Sequence, residues 1–199
     1  MKHLKKLSEE TLHQNPWWQL KHDVFEKPSG GPADYFYAET NGMSMVIPVL
    51  SDGRIILVVQ YRYLFDKPSI EFPGGGIKEG SDSLKTAQEE LYQETGWVGA
   101  EYNKIAKFEP ANGYVKDEAH VYITHAVDQH EARPDETEDI ELIYRRPDEI
   151  EEMIKRNDIW DGMSVAAWCY ARHMFFKELY PEEIPVIQSI LKNFFDTDK

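Results

Sequence analysis

The feature that most constrains this chain is a glycine-rich loop, FPGGGIKEG, that runs directly into a helix-forming stretch from Ser81 to Thr95. Ser81 or Ser83 can cap the start of that helix, and Gly96 stands where a helix C-terminus favours glycine. Leu84, Ala87 and Leu91 lie at i, i+3 and i+7, which predicts an apolar face. Glu90 and Glu94 are four apart and share another face, with Glu89 and Gln93 on the adjacent strip. Ahead of them, Gly74, Gly75 and Gly76 let the backbone approach a ligand or metal closely. Clustered carboxylates beside an exposed backbone carbonyl suit Mg²⁺, a hard cation that prefers oxygen. Taken alone, an acidic run of this kind more often marks a solvated helix face.

Two other glycine-rich readings fail. A Walker loop needs Lys-Ser or Lys-Thr after its last glycine, and Gly80 is followed by Ser81-Asp82. A dinucleotide fingerprint would place a third glycine at position 79, where Glu79 stands.

Around this centre the chain alternates strand and helix signals. ADYFYAET and MSMVIPVL flank Asn41-Gly42, and MSMVIPVL and RIILVVQY flank a turn containing Asp52-Gly53, which predicts two hairpins. RIILVVQY is apolar almost throughout, as in a strand buried on both faces. Further strands are predicted at HVYITHAV and IELIY. Helices are predicted around Pro147–Arg156 and Ser164–Tyr180, and from Pro181 towards Phe195. The fold class is α/β (α+β) with a mixed sheet, preceded by a β-rich N-terminal segment.

Length and charge narrow the function. The chain has 199 residues, enough for one well-buried core. Its net charge of −14 argues against nucleic acid as the partner, because phosphate backbones are read by basic patches. No apolar run approaches the roughly 20 residues that span a bilayer, so no membrane partner is expected. The basic start lacks an apolar h-region, and Cys169 has no intrachain disulfide partner. A reducing, cytoplasmic location is therefore the expectation. His120, His125 and His130 are five apart, so neighbours would face opposite sides of a strand and would not share a zinc ion.

The loop and helix resemble the Nudix box, G-x5-E-x7-R-E-U-x-E-E-x-G-U. Gly75, Glu90, Leu91, Glu94 and Gly96 fall on their places, while Ser81, Glu89 and Gln93 replace a Glu, the Arg and one paired acid. Trp97 fills the final apolar place. QYRY, SIEFPGGG, ETGW, FEPANG, DEAHVYI, DETEDIEL and DGMSVAA resemble, in order and spacing, the ADP-ribose and nucleotide-sugar pyrophosphatase branch of the Nudix hydrolases. The resemblance runs from about Pro16 to about Phe176. It implies a Nudix fold in which helices sandwich a mixed sheet. It also implies residues 1–42 as an N-terminal β extension, 43–180 as the Nudix domain and 181–199 as a C-terminal helix.

The resemblance further implies a Mg²⁺- or Mn²⁺-dependent hydrolase. Its substrate would be a nucleoside diphosphate sugar or ADP-ribose-like molecule, cleaved to a nucleoside monophosphate and a sugar phosphate. The matching metal positions are Gly75, Glu90, Gln93 and Glu94, with Gln93 offering an uncharged oxygen. Glu136 and Glu138 match the acidic loop that supplies the catalytic base or a further ligand. Arg62 matches a phosphate contact, and Glu71 either holds Arg62 or touches substrate. Trp17 and Trp18 are the candidates for stacking on the base, in an N-terminal segment that implies a homodimer. Asn112 replaces a proline common in the ADP-ribose enzymes, which counts against ADP-ribose itself. The competing reading is a catalytically silent Nudix domain that binds a nucleotide or protein, motivated by the three box departures. Messenger-RNA decapping is disfavoured by the acidic charge.

Overall fold

The computed structural model describes residues 3–134 and 139–176. In chain order these form β1 (Lys6–Gln14), β2 (Gln19–Glu26), β3 (Pro32–Glu39), β4 (Met43–Val49), β5 (Ile55–Arg62), β6 (Lys67–Glu71), β7 (Gly74–Gly76), α1 (Ser83–Thr95), β8 (Trp97–Phe108), β9 (Val115–Lys116), β10 (Ala119–Gln129), β11 (Ile140–Arg145), α2 (Pro147–Lys155) and α3 (Gly162–Phe175). The predicted helix after Pro181 lies outside the described residues. No described helix is long and apolar enough to cross a membrane.

The main sheet is mixed, with order β11-β5-β4-β10-β8, β6 adding to β5 and β7 adding to β4. β4 and β10 run parallel, and the other pairs are antiparallel. Strand alternation explains how helices cover both faces. Met45, Ile47 and Val49 point into a core with Ile150 and Met153 of α2 and Ala167, Trp168 and Ala171 of α3. Val46 points the other way, packing with Ala87 and Leu91 of α1 and with Tyr122. Ile55 to Val58 are fully buried, as the uninterrupted apolar run predicted. The expected α+β architecture, a mixed sheet between helices, is the one observed.

Three local expectations need correction. Asp52-Gly53 does close the β4–β5 hairpin, with Gly53 at φ 82°. Asn41-Gly42 does not make a hairpin. β3 and β4 belong to different sheets, and Gly42 at φ 93° instead turns the chain from one sheet to the other. The cap of α1 is Asp82, whose side chain accepts from the Lys85 amide at 2.9 Å, and not Ser81 or Ser83. Of the proposed apolar face, Ala87 and Leu91 are buried but Leu84 is exposed.

The smaller sheet has order β1-β2-β3-β9. Its last strand comes from residues 115–116, so the N-terminal segment is completed by a loop of the main domain. Ala38 and Glu39 pair with Val115 and Lys116, which sets the β1–β2 turn beside the glycine loop.

Candidate active site

A cleft of about 700 Å³ opens where the glycine loop, α1, β5 and the β1–β2 turn meet. Its wall contains three consecutive glycines, of which space requires only the first two. Gly74 in β7 pairs with Met45, and a Cβ there would lie 2.5 Å from the Ser44 carbonyl oxygen and 2.9 Å from Met45 Cα. Only glycine lets these backbones approach so closely. A Cβ on Gly75 would lie 2.5 Å from Glu90 Oε1, so its absence makes room for the Glu90 carboxylate against the loop. A Cβ on Gly76 would meet nothing within 4 Å.

α1 is fixed over this loop at both ends. Ser44 donates its hydroxyl to the Ser83 carbonyl at 2.7 Å, and the hydroxyls of Ser83 and Tyr122 lie 2.7 Å apart. At the other end Gly96 takes the left-handed conformation, φ 73°, and its carbonyl accepts from His130 N–H at 2.8 Å. Arg133 N–H donates to the Gln93 carbonyl at 2.8 Å. These clamps orient the face carrying Glu90 and Glu94. Glu94 is only 3% exposed, and Gly74 N–H donates to its Oε2 at 2.9 Å. A backbone N–H bonded to a carboxylate is among the stronger hydrogen bonds available here.

Across the cleft, Arg62 reaches in from the end of β5. Its Nε donates to Glu71 Oε1 at 2.7 Å and its Nη2 to Glu71 Oε2, while Gln60 Nε2 lies 3.4 Å from the same Oε2. Glu71 is 4% exposed, does not line the cleft and binds Arg62 bidentately. It therefore holds the Arg62 guanidinium in place from behind the cleft wall. This partnership raises the guanidinium pKa, so Arg62 is a permanent cation with its outer edge towards the cleft.

The remaining residues separate cleanly. Trp17 lines the cleft and is 77% exposed, held at the turn by Asn15, whose Oδ1 accepts from the amides of both Trp17 and Trp18 at 2.9 Å. Trp18 lies off the cleft and packs against His13 at 5.6 Å between ring centroids. Gln93 is half-buried and does not line the cleft, because it lies one position off the Glu90–Glu94 face. Glu89 turns outward to Lys85 at 3.6 Å, so it does not crowd Glu90. Ser81 is buried at its hydroxyl, with no hydrogen-bond partner among the described residues. Glu136 and Glu138 lie outside the described residues.

Sequence reasoning passed over Lys78 and Asp117, which also line the cleft. Asp117 accepts from Thr40 Oγ1 at 2.6 Å, and Lys78 forms no ion pair among the described residues. Lys78 was legible as a cation inside the glycine loop. Asp117 carried no local signal, because its loop reaches the cleft only through the β3–β9 pairing.

The donor set fits a hard divalent cation. Two carboxylates of one helix face, one of them packed against the Gly75 backbone, offer oxygen only. Mg²⁺ is commonly held by one or two carboxylates together with substrate phosphates and water. Among the described residues no group of three His, Cys, Asp or Glu side chains forms a protein-only metal cage.

Comparison with known proteins agrees with this geometry. Residues 40–167 match the NUDIX domain family, and residues 4–38 match the nucleoside diphosphate sugar hydrolase N-terminal domain. The chain is 30% identical over 154 residues to a methanol dehydrogenase activator of Bacillus methanolicus, covering 76% of this chain and 83% of that one. It is 24% identical over 168 residues to an ADP-ribose pyrophosphatase of Bacillus subtilis, covering 83% and 91% respectively. A solved structure described as an ADP compounds hydrolase superposes with a TM-score of 0.78 at 19% identity, covering 90% of this chain and 97% of that one. With the family match spanning most of the chain, and a loop, helix and cleft in the arrangement described, this protein belongs to the Nudix domain family.

Proposed function

We propose that this protein is a hydrolase of pyrophosphate bonds, dependent on Mg²⁺ or Mn²⁺, that cleaves a nucleoside diphosphate sugar or ADP-ribose-like substrate. The products are a nucleoside monophosphate and a sugar phosphate. The observation that carries this reading is the face of α1 that sets Glu90 and Glu94 against the Gly74–Gly76 backbone, opposite the fixed cation Arg62. A divalent cation bound there would neutralise diphosphate charge and make a coordinated water a better nucleophile at neutral pH.

The chain's own residues have distinct parts. Glu90 and Glu94 hold the cation, with the Gly74 N–H fixing one Glu94 oxygen. Arg62, braced by Glu71, binds a phosphate oxygen pair and orients the diphosphate. Trp17 offers an exposed indole face to the base. Glu136 or Glu138 takes the proton from the attacking water, the usual contribution of such a base being roughly 10²–10⁴-fold. Gln93, which stands off the cleft, puts no carboxylate beside Glu90 and Glu94 where the family pattern has one, so weaker metal binding is expected. The names of the Bacillus subtilis relative and of the structural neighbour support ADP-linked substrates.

The active form proposed is a homodimer. β1 is exposed along its whole length, and Leu4, Leu7 and Leu12 present apolar side chains to solvent from it and its approach. Light scattering showing a monomer at micromolar concentration would oppose this.

The test is incubation with Mg²⁺ or Mn²⁺ and a panel of ADP-ribose and ADP-, GDP- and UDP-sugars, followed by phosphorus NMR. Release of monophosphate and sugar phosphate is expected, and Glu94→Gln should abolish it. Unchanged turnover in Glu94→Gln would sink the assigned metal site.

A further inference from the structure

Behind the active cleft lies a second hollow of about 550 Å³. β5 separates the two by strand alternation: Gln60 and Arg62 face the cleft, while Val59 forms part of the floor of the hollow. Its rim carries Lys67 from β6, Arg145 from the end of β11, Arg156 after α2, and Trp160. Three cations therefore line it against one carboxylate, Asp158, in a chain of net charge −14.

These side chains are held, not merely nearby. Trp160 donates its indole N–H to the Pro68 carbonyl at 3.1 Å and meets Phe65 edge-on at 5.2 Å. Lys67 Nζ rests 3.9 Å from the centre of the same ring, which fixes its charge at the rim. Arg145 is half-buried and gives Nη1 to the Tyr144 carbonyl at 3.0 Å. Among the described residues neither Lys67 nor Arg145 has a carboxylate partner within ion-pair distance. Arg156 uses Nε and Nη2 on Asp158 at 3.0 and 2.9 Å.

The opposing effect is the negative end of α2, which would repel an anion. Here it is closed off. Asn157 adopts φ 61°, and the amides of Arg156, Asn157, Asp158 and Ile159 occupy the carbonyls of Glu152, Met153 and Ile154. Among the described residues the half-buried Arg145 has no counter-charge, and an anion from solution would supply one.

We propose that this hollow is an anion site, distinct from the catalytic cleft, for the phosphate group of inorganic phosphate or a phosphate monoester. The site does not depend on the proposed hydrolysis, since it shares no residue with the cleft.

The test uses the full chain in EDTA, on an Arg62→Gln background that removes the phosphate-binding cation of the cleft, so that binding there is told apart from binding in the hollow. Inorganic phosphate and AMP are titrated separately by calorimetry, with NMR shifts of the Trp160 indole N–H locating the site. Saturable one-to-one binding that moves that signal is expected. Arg145→Gln and Lys67→Gln should each weaken it about tenfold, the usual loss for a charged hydrogen-bond donor, while Glu94→Gln leaves it unchanged. Tighter binding of AMP identifies a monoester as the ligand, and equal binding identifies the phosphate group alone. Absence of saturable binding by either probe overturns the proposal, as does binding insensitive to both rim variants or lost in Glu94→Gln. Thermal melting checks that Arg145→Gln folds; Lys67, exposed at the rim, decides the matter if it does not.

Discussion

Replacing Gly75 by alanine probes the proposed metal site with one methyl group. The added Cβ would lie 2.5 Å from Glu90 Oε1, against the roughly 3.3 Å of an ordinary carbon–oxygen contact. The carboxylate must therefore move by roughly 0.8 Å, and a misplacement near 1 Å costs about 10²-fold in rate. Because the obstacle is the end of a flexible side chain and Gly75 has no positive φ, the fold should lose no more than about 1 kcal/mol, the low end for overpacking. The neighbouring glycines supply controls. Gly76→Ala meets nothing within 4 Å and should behave as the natural protein. Gly74→Ala strikes backbone at Ser44 and Met45, which cannot swing away, and should cost about 3 kcal/mol in stability. The assay is kcat against Mg²⁺ concentration, with a thermal melt for each variant. Gly75→Ala should fall in kcat and require more Mg²⁺ at nearly unchanged Tm. Full activity in Gly75→Ala, or equal damage in Gly76→Ala, would refute the placement of Glu90 as a metal-holding carboxylate.

Glu71→Gln removes the charge that braces Arg62, and kcat/KM should fall about tenfold, mainly through KM; an unchanged KM would show that Arg62 needs no brace. Asp82→Ala removes the α1 cap and should cost about 1 kcal/mol, read by urea denaturation, with Ser81→Ala as a control that leaves the cap intact. Burial holds the His120 pKa below its usual 6.5, helped by Lys104 and Lys107 and opposed by Glu118. The unfolded chain therefore binds a proton first as pH falls, so this contribution is complete above about 6.5 and is lost below it. Stability measured from pH 8 to pH 5 should decline less in His120→Asn than in the natural protein, and parallel curves would count against this histidine.

Periodicity and turn chemistry alone made much of this protein legible. The four-residue spacing of Glu90 and Glu94 forces them onto one helix face wherever that helix packs, and Gly96 ends the helix because a left-handed residue is needed there. The apolar run from Ile55 to Val58, rich in β-branched residues and next to the Asp52-Gly53 turn, reads as a strand covered on both sides, as observed. These are local properties, set by backbone geometry within a few residues.

Partner choice is not local, and there the tertiary structure decided. Asn41-Gly42 has the chemistry of a hairpin, yet β3 pairs with β2 and β9 while β4 pairs with β5, β7 and β10, so the same turn links two sheets. Leu84 has helical spacing suited to a core, but α1 needs only Ala87 and Leu91 to cover Val46 and Tyr122. Trp17 and Trp18 are adjacent and alike in sequence; the turn built on Asn15 sends one to the cleft and the other to His13. Asp117 enters the cleft, and Lys67, Arg145 and Arg156 gather behind it, only because distant strands are brought side by side. Spacing along the chain sets which residues share a face, whereas which faces meet depends on how the whole sheet buries its apolar side chains.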